Sequence, residues 1–250
     1  MQIPIFVVSL KESDQRRISV AAQLNKLEIP FEFVDAVRGS VLSPEQRRKL
    51  VAPENDILRV RGKALSDSEI GCALSHLVVY QTMQDSNIEY AIVLEDDVKV
   101  VGDIQKVTQS LIQKKPSYVL LGYPKLTDFE VKHFEWLDPI KKMGGMLGKY
   151  SYGKTTRTGE LGTVGYLISK QAAKKILLMN SPVVTVSDDQ PYFSQHIDFW
   201  HLRPIVVTED MSHFSTINGV KRGNAAGLSL RQIVGRVIKS LIRRVKVYLM

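Results

Sequence analysis

Glu95, Asp96 and Asp97 stand side by side directly after an apolar run, Tyr-Ala-Ile-Val-Leu, at residues 90–94. Three adjacent carboxylates repel one another, and ionising all of them beside a core is costly unless a cation relieves the charge. Oxygen ligands of this kind suit Mg²⁺ or Mn²⁺, which commonly bridge carboxylates to a diphosphate. The competing reading is a solvated acidic turn that caps the helix to follow. Ser9 and Leu10 end another apolar run, and Arg16 and Arg17 lie on the helix that opens after it. Backbone amides at a helix start, with basic side chains nearby, favour phosphate. The plainer alternative leaves both arginines on a solvated helix face.

These groups need a scaffold, and the hydrophobic pattern supplies one. Residues 3–9, 31–36, 90–94, 118–121 and 162–169 read as strands, the run at 90–94 as one buried on both faces. Helical patterns cover about 13–27, a short stretch from Ser43 to Pro53, the segment opened by Ser66-Asp67-Ser68-Glu69, 107–112 and 171–179. Strands separated by helices predict an α/β fold with a mixed, mostly parallel sheet. In such sheets ligands gather at the carboxyl ends of the strands, where the acidic triplet falls. Residues 123–160 show no clean period and read as a long loop carrying Phe129, Phe134, Trp136, Tyr150 and Tyr152. A segment of that length suits a cover over a bound donor.

Composition narrows the class further. The chain has 250 residues, 44% hydrophobic and 24% charged, enough apolar residues for a full core. Its single cysteine, Cys72, excludes an internal disulfide framework and points to packing. The amino-terminal apolar run reads as a first strand, not a signal peptide, and no run is long enough to span a bilayer. A reducing, cytoplasmic setting is therefore expected. The formal net charge of +8 is confined to the last 40 residues, which carry eight basic residues and no acid. The division this suggests is a body at 1–210 and a basic appendage at 211–250. A nucleic-acid reading of the charge fails, because the body is neutral and the tail lacks interleaved aromatics.

Five blocks carry a resemblance in order: FVVSLKESDQRR (6–17), FEFVDAVRG (31–39), LSDSEIGCALSH (65–76), YAIVLEDDV (90–98) and GTVGYLISKQAAKKIL (162–177). Together they resemble the family 25 glycosyltransferases of bacterial lipooligosaccharide synthesis, relatives of the collagen galactosyltransferases. The resemblance implies a GT-A type fold and inverting transfer of a sugar, galactose by family precedent, from a UDP-sugar to a terminal sugar of a lipooligosaccharide. It implies a Mn²⁺ or Mg²⁺ ion on Asp97, with Glu95 nearer the ribose or sharing the metal and Asp96 beside them. It brings Ser9, Leu10, Arg16 and Arg17 to the UDP moiety, Asp35 to uracil or ribose, and Ser75 and His76 toward the site. The general base falls at Asp189, with Asp188 as the alternative; capping of a helix is the competing role. His213 is a further candidate metal ligand, since imidazole can join a carboxylate site. A nonenzymatic nucleotide- or carbohydrate-binding protein on the same fold is the alternative reading.

From about 229 to 250 the tail reads as an amphipathic helix. Ile233, Val234, Val237, Ile238, Leu241, Val245 and Tyr248 fall on one face, with Arg236, Lys239, Arg243 and Lys246 opposite. Such a helix suits an anionic membrane surface, here the inner face of the cytoplasmic membrane. Packing on its own domain or in a homodimer is the competing reading.

Overall fold

The computed structural model describes residues 3–143, 147–157, 159, 161–210 and 230–249, with the side chains of 230–234 left aside. In chain order, β1 (Ile5–Ser9) leads to α1 (Asp14–Lys26) and β2 (Glu32–Asp35). Then come α2 (Pro44–Leu50), α3 (Glu54–Arg61), α4 (Asp67–Asp85), β3 (Tyr90–Glu95) and β4 (Val98–Val100). The middle of the chain forms α5 (Ile104–Ile112), β5 (Tyr118–Leu120), β6 (Gly122–Tyr123), α6 (Asp128–Leu137), β7 (Ile140–Lys142) and β8 (Ser151–Thr155). The remainder is β9 (Gly165–Ser169), α7 (Lys170–Asn180), α8 (Gln190–Phe193), β10 (Phe199–Arg203), β11 (Val207–Glu209) and α9 (Leu230–Leu249).

Eight strands form one sheet in the order β2-β1-β3-β9-β5-β10-β8-β7, and β4-β11-β6 form a smaller one. β1 runs parallel to both β2 and β3, and β5 parallel to β10. β9 enters antiparallel between β3 and β5, and β8 and β7 extend the far edge antiparallel. The α/β class expected from the alternation of strands and helices is the class observed.

Period-two alternation explains why the first strands are apolar throughout. Phe6, Val8, Ala91 and Val93 join a core on one face with Ile70, Leu74, Ala173 and Ile176 of α4 and α7. Ile5, Val7, Ile92 and Leu94 join the other core with Val20 and Leu24 of α1 and Val107 and Leu111 of α5. The capping box expected at Ser66 is present: Glu69 N donates to Ser66 Oγ, and Ser66 N donates to Glu69 Oε2 at 2.8 Å.

The loop expected over 123–160 is replaced by α6, β7 and β8. A second capping box, Thr127 with Glu130, opens α6 inside that stretch. Phe134, Tyr150 and Tyr152 are buried, and Tyr152 stacks on Trp200 with ring centroids 4.8 Å apart. Phe134 thus fills one core and Tyr150 and Tyr152 the other, while Phe129 and Trp136 stay exposed. Gly153 hides the strand pattern, because a Cβ there would overlap the Lys141 carbonyl of β7. Pro53, expected only to end a helix, also caps the start of α3.

The basic helix α9 lies on α6, held by its polar side. Ser240 Oγ donates to Trp136 O at 2.7 Å, Arg243 Nη1 to Leu137 O at 3.2 Å and Arg244 Nη2 to Trp136 O at 3.0 Å. Arg236 pairs with Glu130. Ile238, Leu241, Ile242, Val245, Tyr248 and Leu249 remain exposed.

Candidate active site

Parallel pairing of β1 with β3 carries Ser9 and the acidic triplet to the same end of the sheet. Ser9 Oγ donates to Asp96 Oδ2 at 2.7 Å, and Arg16 Nη1 donates to Asp96 Oδ1 at 2.7 Å. The same guanidinium lies 3.5 Å from Asp97 Oδ2, and its side chain is only 14% exposed. Arg16 is therefore not on a solvated face; it offsets the repulsion between Asp96 and Asp97. Arg17 Nη2 donates to Ser9 O at 3.0 Å, pairs with Asp35, and sits 4.7 Å from the centre of the Phe33 ring. Leu10 O accepts from Ser13 N at 3.0 Å as the chain turns into α1. Asp35 remains 59% exposed at the end of β2. The Asp97 carbonyl accepts from Asp210 N at 2.6 Å, which brings the last acid of the chain beside the triplet. His213 lies outside the described residues.

The donor set at Asp96 and Asp97 is all oxygen, as Mg²⁺ or Mn²⁺ requires. Asp96 is engaged at both oxygens by Ser9 and Arg16. A cation would thus be held chiefly by Asp97, with Arg16 sharing the acids.

Glu95 turns to another set of partners. Thr163 Oγ1 donates to its carboxylate, and His76 Nε2 faces the same oxygen from 3.8 Å. His76 is 1% exposed, and its Nδ1 is hydrogen-bonded to the Tyr166 hydroxyl at 2.6 Å, which in turn meets the Tyr80 hydroxyl at 2.7 Å. Burial disfavours the imidazolium, but Cys72 and the Glu95 carboxylate outweigh it and raise the His76 pKa to about 10. Burial likewise opposes ionisation of Glu95, yet His76, Thr163 and Arg16 hold it below the ordinary carboxylate value. Ser75 is a positioning residue: its Oγ accepts from Val37 N at 2.8 Å and donates to Gly71 O at 2.6 Å. That bond ties the segment after β2 to α4, where Gly71 lets the two backbones close, a Cβ there falling 2.5 Å from Val37 O.

Asp188 and Asp189 occupy different surroundings. Asp189 caps α8, its Oδ1 accepting from Tyr192 N at 3.1 Å and its Oδ2 from Thr185 Oγ1 at 2.5 Å. Asp188 Oδ2 accepts from Gly162 N at 2.9 Å and lines a small pocket with Tyr118, Leu161 and Phe199. Gly162 precedes Thr163, so Asp188 reaches the same strand opening as Glu95.

Thr163, Tyr166 and Ser187 join this arrangement although sequence reasoning did not single them out. Thr163 and Tyr166 lie within the 162–169 block, where a polar residue in an apolar strand was the available signal. Asp210 carried a weaker one, as the last acid before the basic tail.

Comparison with known proteins gives a consistent picture. Residues 2–190 match Glycosyltransferase family 25 (LPS biosynthesis protein). A Haemophilus influenzae protein assigned as a glycosyltransferase is 25% identical over 205 residues, 82% of this chain and 66% of that one. Procollagen galactosyltransferase 1-B of Xenopus laevis is 28% identical, over 69% of this chain and 28% of its own. The inactive glycosyltransferase 25 family member 3 of Mus musculus is 25% identical, over 78% of this chain and 34% of its own. The chain thus spans about two thirds of the first relative and about a third of the others.

Proposed function

The chain belongs to glycosyltransferase family 25, and on that premise we propose that it is a GT-A type, inverting, metal-assisted hexosyltransferase. The reading gives it a UDP-sugar donor, UDP-galactose first, and the terminal sugar of a lipooligosaccharide as acceptor. The observation that carries it is the meeting of Ser9, Arg16, Asp96 and Asp97 at the carboxyl ends of β1 and β3.

Each residue then has a task. Asp97, beside Arg16 and Asp210, would hold Mn²⁺ or Mg²⁺. When bound, the cation offsets the charge that builds on the departing UDP diphosphate. Asp96 is fixed by Ser9 and Arg16 and keeps the guanidinium at the cation's side, so the positive charge facing the diphosphate is preorganised. Ser9, Leu10 and the first turn of α1 lie where a phosphate would meet main-chain amides. Arg17 orders Asp35 for the ribose or uracil. Glu95 and His76 form the floor between the nucleotide end and the acceptor end. Asp188 accepts the proton of the attacking sugar hydroxyl, and Asp189, occupied by its cap and by Thr185, holds the backbone that presents Asp188.

The test is a nucleotide-sugar panel with saccharide acceptors, with and without EDTA, reading UDP release. Turnover of a UDP-hexose that EDTA abolishes is expected; no release with any donor in the presence of Mn²⁺ would overturn the reading. A second reading, a nonenzymatic sugar-nucleotide binder, is favoured by the inactive mouse relative, which matches this chain about as well as the galactosyltransferase does. It predicts UDP binding by calorimetry without release.

We further propose that α9 docks the body on an anionic membrane. Among the described residues, no helix is long and apolar enough to cross one. The exposed stripe at Ile238, Leu241, Ile242, Val245, Tyr248 and Leu249 supports surface binding. Leu241→Glu with Val245→Glu should abolish flotation with anionic vesicles and leave UDP release unchanged; persistent flotation would end the proposal.

A further inference from the structure

Cys72 and His76 lie one helical turn apart on α4, and both point at Glu95, the last residue of β3. A thiol sulfur, a ring nitrogen and a carboxylate oxygen, one from each residue, all fall within 4.8 Å of one another. His76 is nine-tenths buried and more, yet among the described residues its Nε2 has no hydrogen-bond partner. The Glu95 oxygen at 3.8 Å is too far to accept from it. That separation is close to the spacing of two donors around one ion. Nitrogen and oxygen ligands each about 2.0–2.1 Å from a tetrahedral zinc stand about 3.4 Å apart.

The surroundings are those of ligands held by their far sides. Tyr166, itself bonded to Tyr80, fixes His76 through Nδ1 and leaves Nε2 turned toward Cys72 and Glu95. Metal-binding histidines are characteristically oriented in this way through their second nitrogen. Thr163 holds the Glu95 carboxylate, and Ser187 Oγ lies 3.3 Å from Cys72 Sγ, close enough to hydrogen-bond a thiolate.

We infer that Cys72, His76 and Glu95 form a binding site for a thiophilic divalent ion of the Zn²⁺ class. A thiolate–imidazole–carboxylate set selects Zn²⁺ over Mg²⁺ or Mn²⁺, so this ion is distinct in chemistry from the hard cation proposed at Asp97. Three protein ligands leave a fourth position for water or a substrate oxygen. The thiol proton of Cys72 and the imidazolium proton of His76 both leave to solvent as the ion binds, and affinity therefore falls as the pH is lowered.

The experiment is a Co²⁺ titration of the full chain, previously stripped of metal, followed in the near ultraviolet. A thiolate-to-cobalt charge-transfer band saturating at one equivalent is expected, and because Cys72 is the single cysteine, any such band reports that residue. Zn²⁺ should displace Co²⁺ and slow alkylation of Cys72 by iodoacetamide. His76→Gln and Glu95→Gln should each weaken Co²⁺ binding by about 10- to 100-fold, with folding checked by circular dichroism. Asp97→Asn should leave the band intact, which separates this site from the proposed catalytic cation. Absence of the band from the wild-type chain would overturn the inference. So would a band that both the His76 and the Glu95 variants leave unchanged in affinity. Where a variant fails to fold, alkylation of the wild type decides: if stoichiometric Zn²⁺ gives no protection, the site is refuted.

Discussion

Replacing Asp188 and Asp189 one at a time by asparagine separates a proton acceptor from a helix cap. Asparagine is as good an N-cap as aspartate, so Asp189→Asn keeps the bond from Tyr192 N. What it loses is the charge in the 2.5 Å bond from Thr185. A hydrogen bond to an ionised group is worth about 1.5–3 kcal/mol and a neutral one about 0.5–1.5, so the loss is about 1 kcal/mol. In a body of this size that lowers Tm by about 2–4 °C. Asp188→Asn likewise keeps an oxygen to accept from Gly162 N, and its Tm should move no further. Its activity should fall by about 10²–10⁴-fold, the usual contribution of a positioned base. The assay is UDP release at saturating donor and acceptor, with melting followed in parallel by circular dichroism. An Asp189→Asn protein that melts normally but is 100-fold slower, beside an active Asp188→Asn protein, would refute the assignment.

Three further outcomes follow from the body of the fold. Arg203, fully buried, donates to Asp138 Oδ2 at 2.5 Å, to Asp138 O at 2.8 Å and to Tyr123 Oη at 3.2 Å. Arg203→Met should therefore cost about 3 kcal/mol, the low end of breaking a buried pair, because Arg157 still lies 3.1 Å from Asp138; a lowered urea midpoint at unchanged m checks it. Gly122→Ala should disrupt the pairing of β6 with β11, since a Cβ there would overlap the Val207 carbonyl; thermal melting at least several degrees lower is expected, and an unchanged Tm would contradict the packing. His201 is held neutral, its pKa well below 6.5 because of burial and then the nearby Arg203, Lys154 and Arg157. The unfolded chain takes up that proton near 6.5, so this residue's contribution is full above that pH. Stability falls by about 1.4 kcal/mol per unit as the pH drops below it, a slope that His201→Gln should flatten in urea titrations between about pH 6.5 and 5.

The alternation of strand and helix was legible because β1 and β3 are apolar on both faces and α4, which leads into β3, opens on a capping box. Neighbours were not legible. Periodicity marks β9 as a strand but carries nothing about its seat between β3 and β5. Ser9, Arg16, Asp96 and Asp97 could be grouped because all sit at strand ends or helix starts, whereas the approach of Cys72 and His76 to Glu95 depends on how α4 crosses β3. The tail illustrates a different gap. Its two faces were readable, but not which would meet the body. Glu130, Asp138 and the carbonyls ending α6 settled that by pairing with arginines.

The place of β9 also sets an order of assembly. β3 and β5 are made early, and the slot between them stays open until residues 165–169 arrive; β10, beside β5, comes later still. Until then the nascent chain carries two apolar strands with unpaired edges, the condition that invites wrong pairing. Their closure joins segments about 50–75 residues apart, a long-range contact of the kind that slows folding. A chain cut before Gly165 would lack the strand that joins its two halves, so the acidic triplet and Asp188 belong to one cooperative unit that completes only after most of the body has been synthesised.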